Sequence, residues 1–402
     1  MKEGWEYSTI GDLCDKMNGL WKGKTGPFVN VGVIRNANFT KSFTLSFDNI
    51  EYLDVEAKQY KTRKLQKGDL IVEKSGGSEK QPVGRTVLFN REDGEYSFSN
   101  FTSVLRIKDR NVITPEFLYK YILFVYLRGD TRKMQKATTG IHNIEFDKYL
   151  SIPVPVLPLP EQQSIVDYLD SSFAKIDAMK ANAEKALNEA QALFQASLKE
   201  MLEPKEGWEE KTLKELGQTQ TGTTPSKSDK DNYGDYIPFI RPSEIDYDGS
   251  GRIEYNSALK LSKKGADNGR IFDAHSIYMV CIGATIGKVG YGERAISCNQ
   301  QINIITPNSS VNYKFAYYAM KNDGFQQKVI KEGTSSQATL PIINKGKWEK
   351  LCISYPPISE QQSIVATLDS LKSKVDRLKA NYDKISQECD ALKQAILRQV
   401  FE

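Results

Sequence analysis

Histidine is almost missing from this chain: His142 and His275 are the two among 402 residues, and neither stands in an HExxH or comparable ligand pattern. Two imidazoles leave little room for a histidine-based metal site or a Ser-His-Asp hydrolase. Cysteine is also sparse. Cys14, Cys281, Cys298, Cys352 and Cys389 are scattered, odd in number and contain no CxxC pair. That pattern argues against a zinc ribbon and a disulfide framework, and it fits a reducing cytoplasm. Long apolar runs are lacking too. The strongest, YKYILFVYL at 119–127, holds Lys120 and stops at Arg128. It falls far short of the roughly 20 residues a membrane span requires and reads as a buried helix. The opening MKEGWEYSTI is polar, unlike the apolar core of a secretory leader. Hydrophobic content of 39% and charged content of 26% are those of a soluble globular protein of two or three domains.

What the chain does have is itself, twice. EQQSIV occurs at 161–166 and again at 360–365. A shift of 199 residues aligns 161–202 with 360–401 without a gap, and 21 of those 42 positions are identical. Proline-bearing segments precede both copies, so that Pro158 matches Pro357. Near the start, EGWEYSTIGDL matches EGWEEKTLKEL at 206–216. Between these anchors the match is looser but ordered. VIRNANF pairs with FIRPSEI, placing Arg35 opposite Arg241; GDLIVEKSGG then GRTV pairs with AHSIYMVCIGA then GKVG, placing Arg85 opposite Lys288. EFLYKYI and KFAYYAM read as equivalent helices. Short β-rich runs at 70–72, 86–89, 277–281 and 301–305 are bounded by Gly, Asn and Asp.

The organisation expected is therefore a globular part at 1–159, a helix at 160–203, a second globular part at 204–358 and a second helix at 359–402. Neither helical segment holds a glycine or proline between 161 and 203 or between 360 and 402. In the second, Ile364, Leu368, Leu371, Val375, Leu378, Tyr382, Ile385, Cys389, Leu392 and Ile396 alternate spacings of four and three, a heptad seam. In the first, Ile165, Leu169, Ile176, Met179 and Leu193 occupy the same places, interspersed with Ser172, Ala183, Ala186, Ala190 and Ser197. Each helix would be a rod of roughly 63 Å at about 1.5 Å per residue. Duplication around a pseudo-twofold axis makes the rods antiparallel. The fold class is thus α+β: two similar mixed domains separated by a coiled-coil spacer, with the heads at opposite ends.

The net charge of +4 divides unevenly, with +5 on 1–159 and +3 on 204–358 against −4 on 160–203 and zero on 359–402. Basic heads suit a polyanion and an acidic or neutral rod suits another protein. Basic and amide-rich loops recur at 22–24, 35–38, 61–64, 128–136, 221–242 and 259–270; such side chains contact phosphates and base edges.

Catalytic motifs do not close. GATIGKV at 283–289 is one residue short of a phosphate loop and no Ser or Thr follows Lys288. SYPPI at 354–358 sets Tyr355 and Ile358 where an amino-methyltransferase motif needs a side chain gripping the target amino group and a stacking aromatic. Nor does a glycine-rich strand-to-helix loop point to S-adenosylmethionine. The chain reads as non-catalytic.

PLPEQQSIVDYLD, PISEQQSIVATLD, TGTTPSK with IPFIRPSEID, and GATIGKVG, spaced as they are, resemble the DNA-specificity (S) subunits of type I restriction–modification systems over essentially the whole chain. The resemblance implies that each head is a target recognition domain for one half of a bipartite, asymmetric DNA site. It implies that the rods set the gap and dock two modification (methyltransferase) subunits, joined by restriction (translocase and endonuclease) subunits. S-adenosylmethionine, ATP and Mg would then belong to those partners, with no cofactor or metal on this chain, which would work in the cytoplasm. The first head has GLWKGKTGPFVNVGVIR in place of a TGTTPSK-type loop. Competing readings are an interaction scaffold without DNA binding and the specificity part of a fused restriction–methylation enzyme; missing methyltransferase motifs weigh against the latter. From charge, loop position and matched places, the DNA-contacting candidates are Arg35, Lys74, Arg85, Arg132 and Lys133 in the first head. In the second they are Arg241, Lys263, Lys264, Arg270, Lys288 and Arg294.

Overall fold

The computed structural model describes residues 4–20, 23, 25–79, 81–138, 140–246, 248–256, 258–334 and 340–402. The chain divides into two compact units, one of residues 1–181 with 384–402 and one of residues 182–383.

Both units are built on one plan. In the first, Glu6–Thr9 pairs antiparallel with Pro153–Val156, and a four-stranded sheet runs in the order Cys14–Asn18, Thr102–Ile107, Leu70–Glu73, Thr86–Leu88. In the second, Glu209–Thr212 pairs with Cys352–Tyr355, and the four-stranded sheet runs Gly217–Thr221, Ile302–Pro307, Ile277–Val280, Val289–Tyr291. Each unit adds a three-stranded sheet whose middle strand, Phe28–Ile34 or Tyr233–Ile240, has one antiparallel neighbour and one short parallel neighbour, Tyr96–Phe98 or Ser297–Cys298. The expected β runs are thus strands, and GATIGKV is the turn between two of them. The apolar run at 119–127 lies in the helix Pro115–Arg128, which is capped by Thr114 and ends on Gly129 at φ +90. Its counterpart is Tyr313–Lys321, capped by Asn312. Beyond it the units diverge: the first continues into the hairpin Gln135–Thr138 and Ile141–Ile144, the second into the helix Asp323–Thr334. Among the described residues no helix is long and apolar enough to cross a membrane.

The two expected rods are single helices, Leu159–Met201 and Ile358–Phe401. Their segments pair within each unit. In the first unit Asp177 meets Lys393 at 2.5 Å and Lys180 meets Asp390 at 3.7 Å. One index rises as the other falls, so the helices are antiparallel. Phe401 docks edge-on against Phe117 and Tyr121 of the head helix at ring separations of 5.9 and 5.3 Å. In the second unit Leu187, Phe194, Leu198 and Leu202 share one core with Ile364, Val365, Leu368 and Val375, and with the head residues Phe315 and Trp348.

The seam expected from heptad spacing needs a correction in the first rod. Leu169 and Ile176 are buried and Ile165 is half-buried, but Met179 and Leu193 are each 59% exposed. The buried row instead runs through Val166, Leu169, Ile176, Leu187 and Phe194, with Phe173 half-buried. One of the two heptad positions, that of Leu169 and Ile176, faces the seam as expected; the other lies one residue further on, across the stripe. Either choice keeps a four–three rhythm, and burial goes to the side carrying the larger apolar groups. In the second rod Ile364, Leu368 and Val375 are buried, and Leu371, Leu378, Tyr382, Ile385 and Ile396 are half-buried. Leu392 is 47% exposed, because Leu397 and Phe401 take over the buried face at that end.

The repeated hexapeptide has a structural purpose. Gln162 and Gln361, the first glutamine of each EQQ, are both 0% exposed. The Gln162 Nε2 donates to the carbonyls of Val112 and Leu157 at 2.8 Å, and its Oε1 accepts from the Thr114 N–H at 2.9 Å. The Gln361 Nε2 donates to Ser310 and Pro356 at 3.0 and 2.8 Å, and its Oε1 accepts from Asn312 at 2.8 Å. Each amide therefore ties the first turn of a rod to the residue that caps the head helix. Asp170 and Asp369, again matched, add ion pairs to Lys120 and to Lys314. Replacing Gln162 or Gln361 by Ala takes the partner from one N–H and two carbonyls, one of which, on Leu157 or Pro356, lies in a buried bond. We expect a loss of about 3 kcal/mol in urea unfolding for either variant, against less than about 0.5 kcal/mol for the exposed neighbour Gln163→Ala.

Candidate nucleic-acid interface

In each head the middle strand of the three-stranded sheet runs straight into a basic residue. Arg35 follows Phe28–Ile34 and Arg241 follows Tyr233–Ile240, and each opens a 3-10 turn, Asn36–Asn38 or Pro242–Glu244. Beside each lies the loop leaving the short parallel strand. Ser99 N–H donates to Ile34 O at 2.9 Å and Asn299 N–H to Ile240 O at 3.0 Å. Glycine seats both loops: a Cβ on Gly19 would lie 1.8 Å from Ser99 O, and one on Gly222 would lie 2.1 Å from Asn299 O. The loop side chains then differ, Ser99-Asn100-Phe101 in one head and Asn299-Gln300-Gln301 in the other.

The candidate cations fall into two groups. Some are spoken for. Arg85 is only 12% exposed, lies 3.3 Å from Glu73 and stacks over Phe39, so it holds the fold from inside. Burial pushes the Glu73 carboxyl up from its ordinary value, and Arg85 opposes that rise. Arg35 pairs with Glu51. Arg241 bonds Glu244 at 2.9 Å; burial would raise the Glu244 carboxyl, but its hydrogen bonds from Arg241 and Ser243 hold it below its ordinary value. Lys264 bridges Asp229 and Asp231 at 2.9 and 3.5 Å. The others have no ion-pair partner among the described residues. Arg132, Lys133, Lys263, Arg270 and Arg294 are exposed and Lys74 and Lys288 half-buried. Burial, then the charge of Lys16, lowers Lys74 from its ordinary value. Lys288 matches Arg85 in backbone position, but the place of Glu73 is held by Val280, so its charge stays available. Arg294 lies over the Tyr255 ring at 4.1 Å, and Arg270 reaches the Thr221 carbonyl at 2.6 Å. Lys22 and Lys24 lie outside the described residues.

Sequence reasoning did not single out Asn36, Ser99, Asn100 and Phe101, nor Asn299, Gln300 and Gln301. The signal was the matched strand pair YSF and ISC followed by three unlike residues, invisible until the parallel pairing was known.

The family model for the type I restriction modification DNA specificity domain matches twice, over residues 2–189 and 205–387. The chain belongs to that family. Among curated relatives, the type I restriction enzyme HindI specificity subunit of Haemophilus influenzae is 24% identical over 88% of this chain and 90% of its own length. The StySPI specificity subunit of Salmonella potsdam is 22% identical over 100% and 89%. Among solved structures, a chain described for complex assembly and conformational transition of the type I R-M system superposes with a TM-score of 0.76 at 18% identity, covering 100% of this chain and 98% of that one. The HsdS subunit from Thermoanaerobacter tengcongensis gives 0.57 at 19% identity over 100% and 97%. The twin heads and paired rods are therefore a fold shared with type I specificity subunits, and the chain is a DNA sequence-recognition subunit without a catalytic centre of its own.

The two groups of cations separate by experiment. Arg85→Ala leaves the Glu73 carboxylate buried and unpaired, and we expect a loss of about 3 kcal/mol at neutral pH. A carboxyl whose folded value is raised above its unfolded value favours the folded state fully below the unfolded value and progressively less as pH rises through the folded one. The Arg85→Ala defect should therefore shrink on acidification, as read by urea midpoints from pH 7 to pH 4.

Proposed function

We propose that this chain reads a split, asymmetric DNA sequence, one half with each head, and carries modification and restriction subunits to it. Four segments compose it on this reading: heads at 1–159 and 204–358, spacers at 160–203 and 359–402. The observation that carries it is the doubling of one recognition module with unlike side chains at its two matched loops, because unlike loops on like scaffolds read unlike half-sites. Arg132, Lys133, Lys263, Arg270, Lys288, Arg294 and Lys74 serve as phosphate contacts, since their charges are not neutralised by carboxylates. Arg35 and Arg241 stand at the reading loops, and Arg85 acts by holding them. Lys264 braces its own loop. S-adenosylmethionine, ATP and Mg are brought by the partner subunits, and the assembly works in the cytoplasm, where chromosomal DNA is.

The test is methylation mapping. The chain expressed with the modification subunit of its own host should place N6-methyladenine at one defined sequence split by unread bases, on both strands; methylation at an unsplit or undefined sequence would overturn the reading. Removing a phosphate contact weakens binding for every sequence alike. Lys133→Ala, Lys263→Ala or Lys288→Ala should each flatten the slope of log K against log salt by about 0.9, measured by fluorescence anisotropy on duplex DNA. Lys264→Ala should leave that slope unchanged.

A further inference from the structure

In each head one tyrosine of the head helix meets the chain that leaves the basic turn, and the residue after it grips a rod. We propose that Tyr119 and Tyr317 are positioning residues: they seat the two basic turns at a fixed place against the rods, and so decide how strictly the number of unread base pairs between half-sites is kept. The inference rests on the DNA-reading assignment above and adds to it the residues that hold the register.

The chain leaving each basic turn closes a small hairpin. Phe39 pairs with Leu45 in the first head and Ile245 with Ile253 in the second. Each hairpin is bonded back to its turn, Ser46 N–H to Asn38 O and Glu254 N–H to Glu244 O, both at 2.9 Å. Turn and hairpin are thereby joined into one piece, and the far end of that piece lands on the head helix. Tyr119 Oη donates to the Phe43 carbonyl at 2.7 Å, and the Phe43 ring lies edge-on to Tyr126 at 5.5 Å. In the second head the hairpin passes so close to Tyr317 that a Cβ on Gly251 would lie 2.2 Å from the hydroxyl oxygen. Asp246 adds an ion pair to Lys321 of the same helix at 2.7 Å and accepts the Gly251 N–H, also at 2.7 Å.

Both landing residues have left-handed backbone, Phe43 at φ +62 and Gly251 at φ +82. A phenylalanine held there is strained and persists only where its surroundings over-determine it. The residues that follow the two tyrosines complete the path. Lys120 pairs with Asp170 of the first rod, and Tyr318 Oη donates to Asp369 of the second at 2.7 Å. Lys379, further along the second rod, donates to the hairpin itself, at the Asp248 carbonyl, at 3.3 Å. A path from rod carboxylate through helix and hairpin to basic turn thus exists in both heads, although the groups that make it differ. Successive base pairs lie about 3.4 Å apart. A gap is counted correctly only if each basic turn keeps its place against its rod to within a fraction of that distance.

The experiment takes the full chain, purified with the subunits it assembles with in its host, and the split sequence that wild type methylates. Competition binding compares duplexes with the natural gap against gaps one base pair longer or shorter. Wild type should prefer the natural gap by about tenfold or more. Tyr119→Phe, which removes a single hydroxyl, and Gly251→Ala should each lower that preference about fivefold, with the bases read in each half-site as in wild type. Lys321→Met, which breaks the tie to Asp246, should do the same and serves if Gly251→Ala fails to fold. Tyr121→Phe is the control: on the same helix it loses the bond from Tyr121 Oη to the Pro153 carbonyl, also 2.7 Å, which lies off this path, and it should keep the wild-type preference. If Tyr119→Phe and Lys321→Met discriminate gaps as wild type does, if Tyr121→Phe loosens them equally, or if wild type binds all three gaps alike, the tyrosines do not hold the register while DNA reading stands. If wild type binds no split sequence above a random duplex, both readings fall together.

Discussion

A single buried carboxamide, used once in each half, holds this architecture together. Gln162 and Gln361 satisfy every donor and acceptor they possess with main-chain groups, and those groups belong to the head helix cap on one side and the rod entry on the other. An amide in that position is strongly specified: a carboxylate would repel two carbonyls, and an aliphatic side chain would leave three polar groups unmet. The joint fixes where a rod leaves its head, and with it the rotation of the rod about its own axis. The rotation in turn decides which residues of Leu159–Met201 and Ile358–Phe401 can be buried. The hexapeptide recurs because the joint recurs.

On that frame the two heads keep backbone and vary side chains. Strand order, the short parallel contact, the capped helix and the glycine-seated loop are common to both. Charge placement is not. Glu73 and Arg85 form an internal pair in the first head where the second has Val280 and Lys288, and Asp369 meets Lys314 and the Tyr318 hydroxyl where Asp170 meets Lys120. The first exchange replaces an internal ion pair by an apolar residue and a half-buried lysine, unpaired among the described residues, and the second keeps the pair and adds a hydroxyl, so two copies of one module acquire different surfaces without different folds.

Much of this was legible in the letters. The duplication, the mixed composition of the heads, the uninterrupted rods and the pairing of Arg35 with Arg241 all follow from local pattern and self-alignment. What escaped was whatever depends on contacts distant in sequence. Heptad spacing alone cannot choose between the stripe through Met179 and Leu193 and the one through Leu187 and Phe194, since both keep the rhythm; the rotation set by Gln162 chooses. Arg85 looked like a surface cation because Glu73 is twelve residues away on a neighbouring strand. Asn36, Ser99 and Phe101 drew no notice because small polar and lone aromatic residues are common in loops, and only the parallel strand contact gathers them around one opening.

The tight seat of Gly19 beneath the Ser99 carbonyl, and of Gly222 beneath Asn299, has a consequence for how such a molecule changes over generations. The path of each loop is dictated by backbone pressed on backbone, so in the first head the side chains of Ser99, Asn100 and Phe101 are left with little duty to folding. A substitution there can alter chemical taste while the melting point stays put. Novelty of recognition and robustness of the scaffold are thereby uncoupled, and the glycines, mute in any chemistry, are what grant the neighbouring letters their freedom.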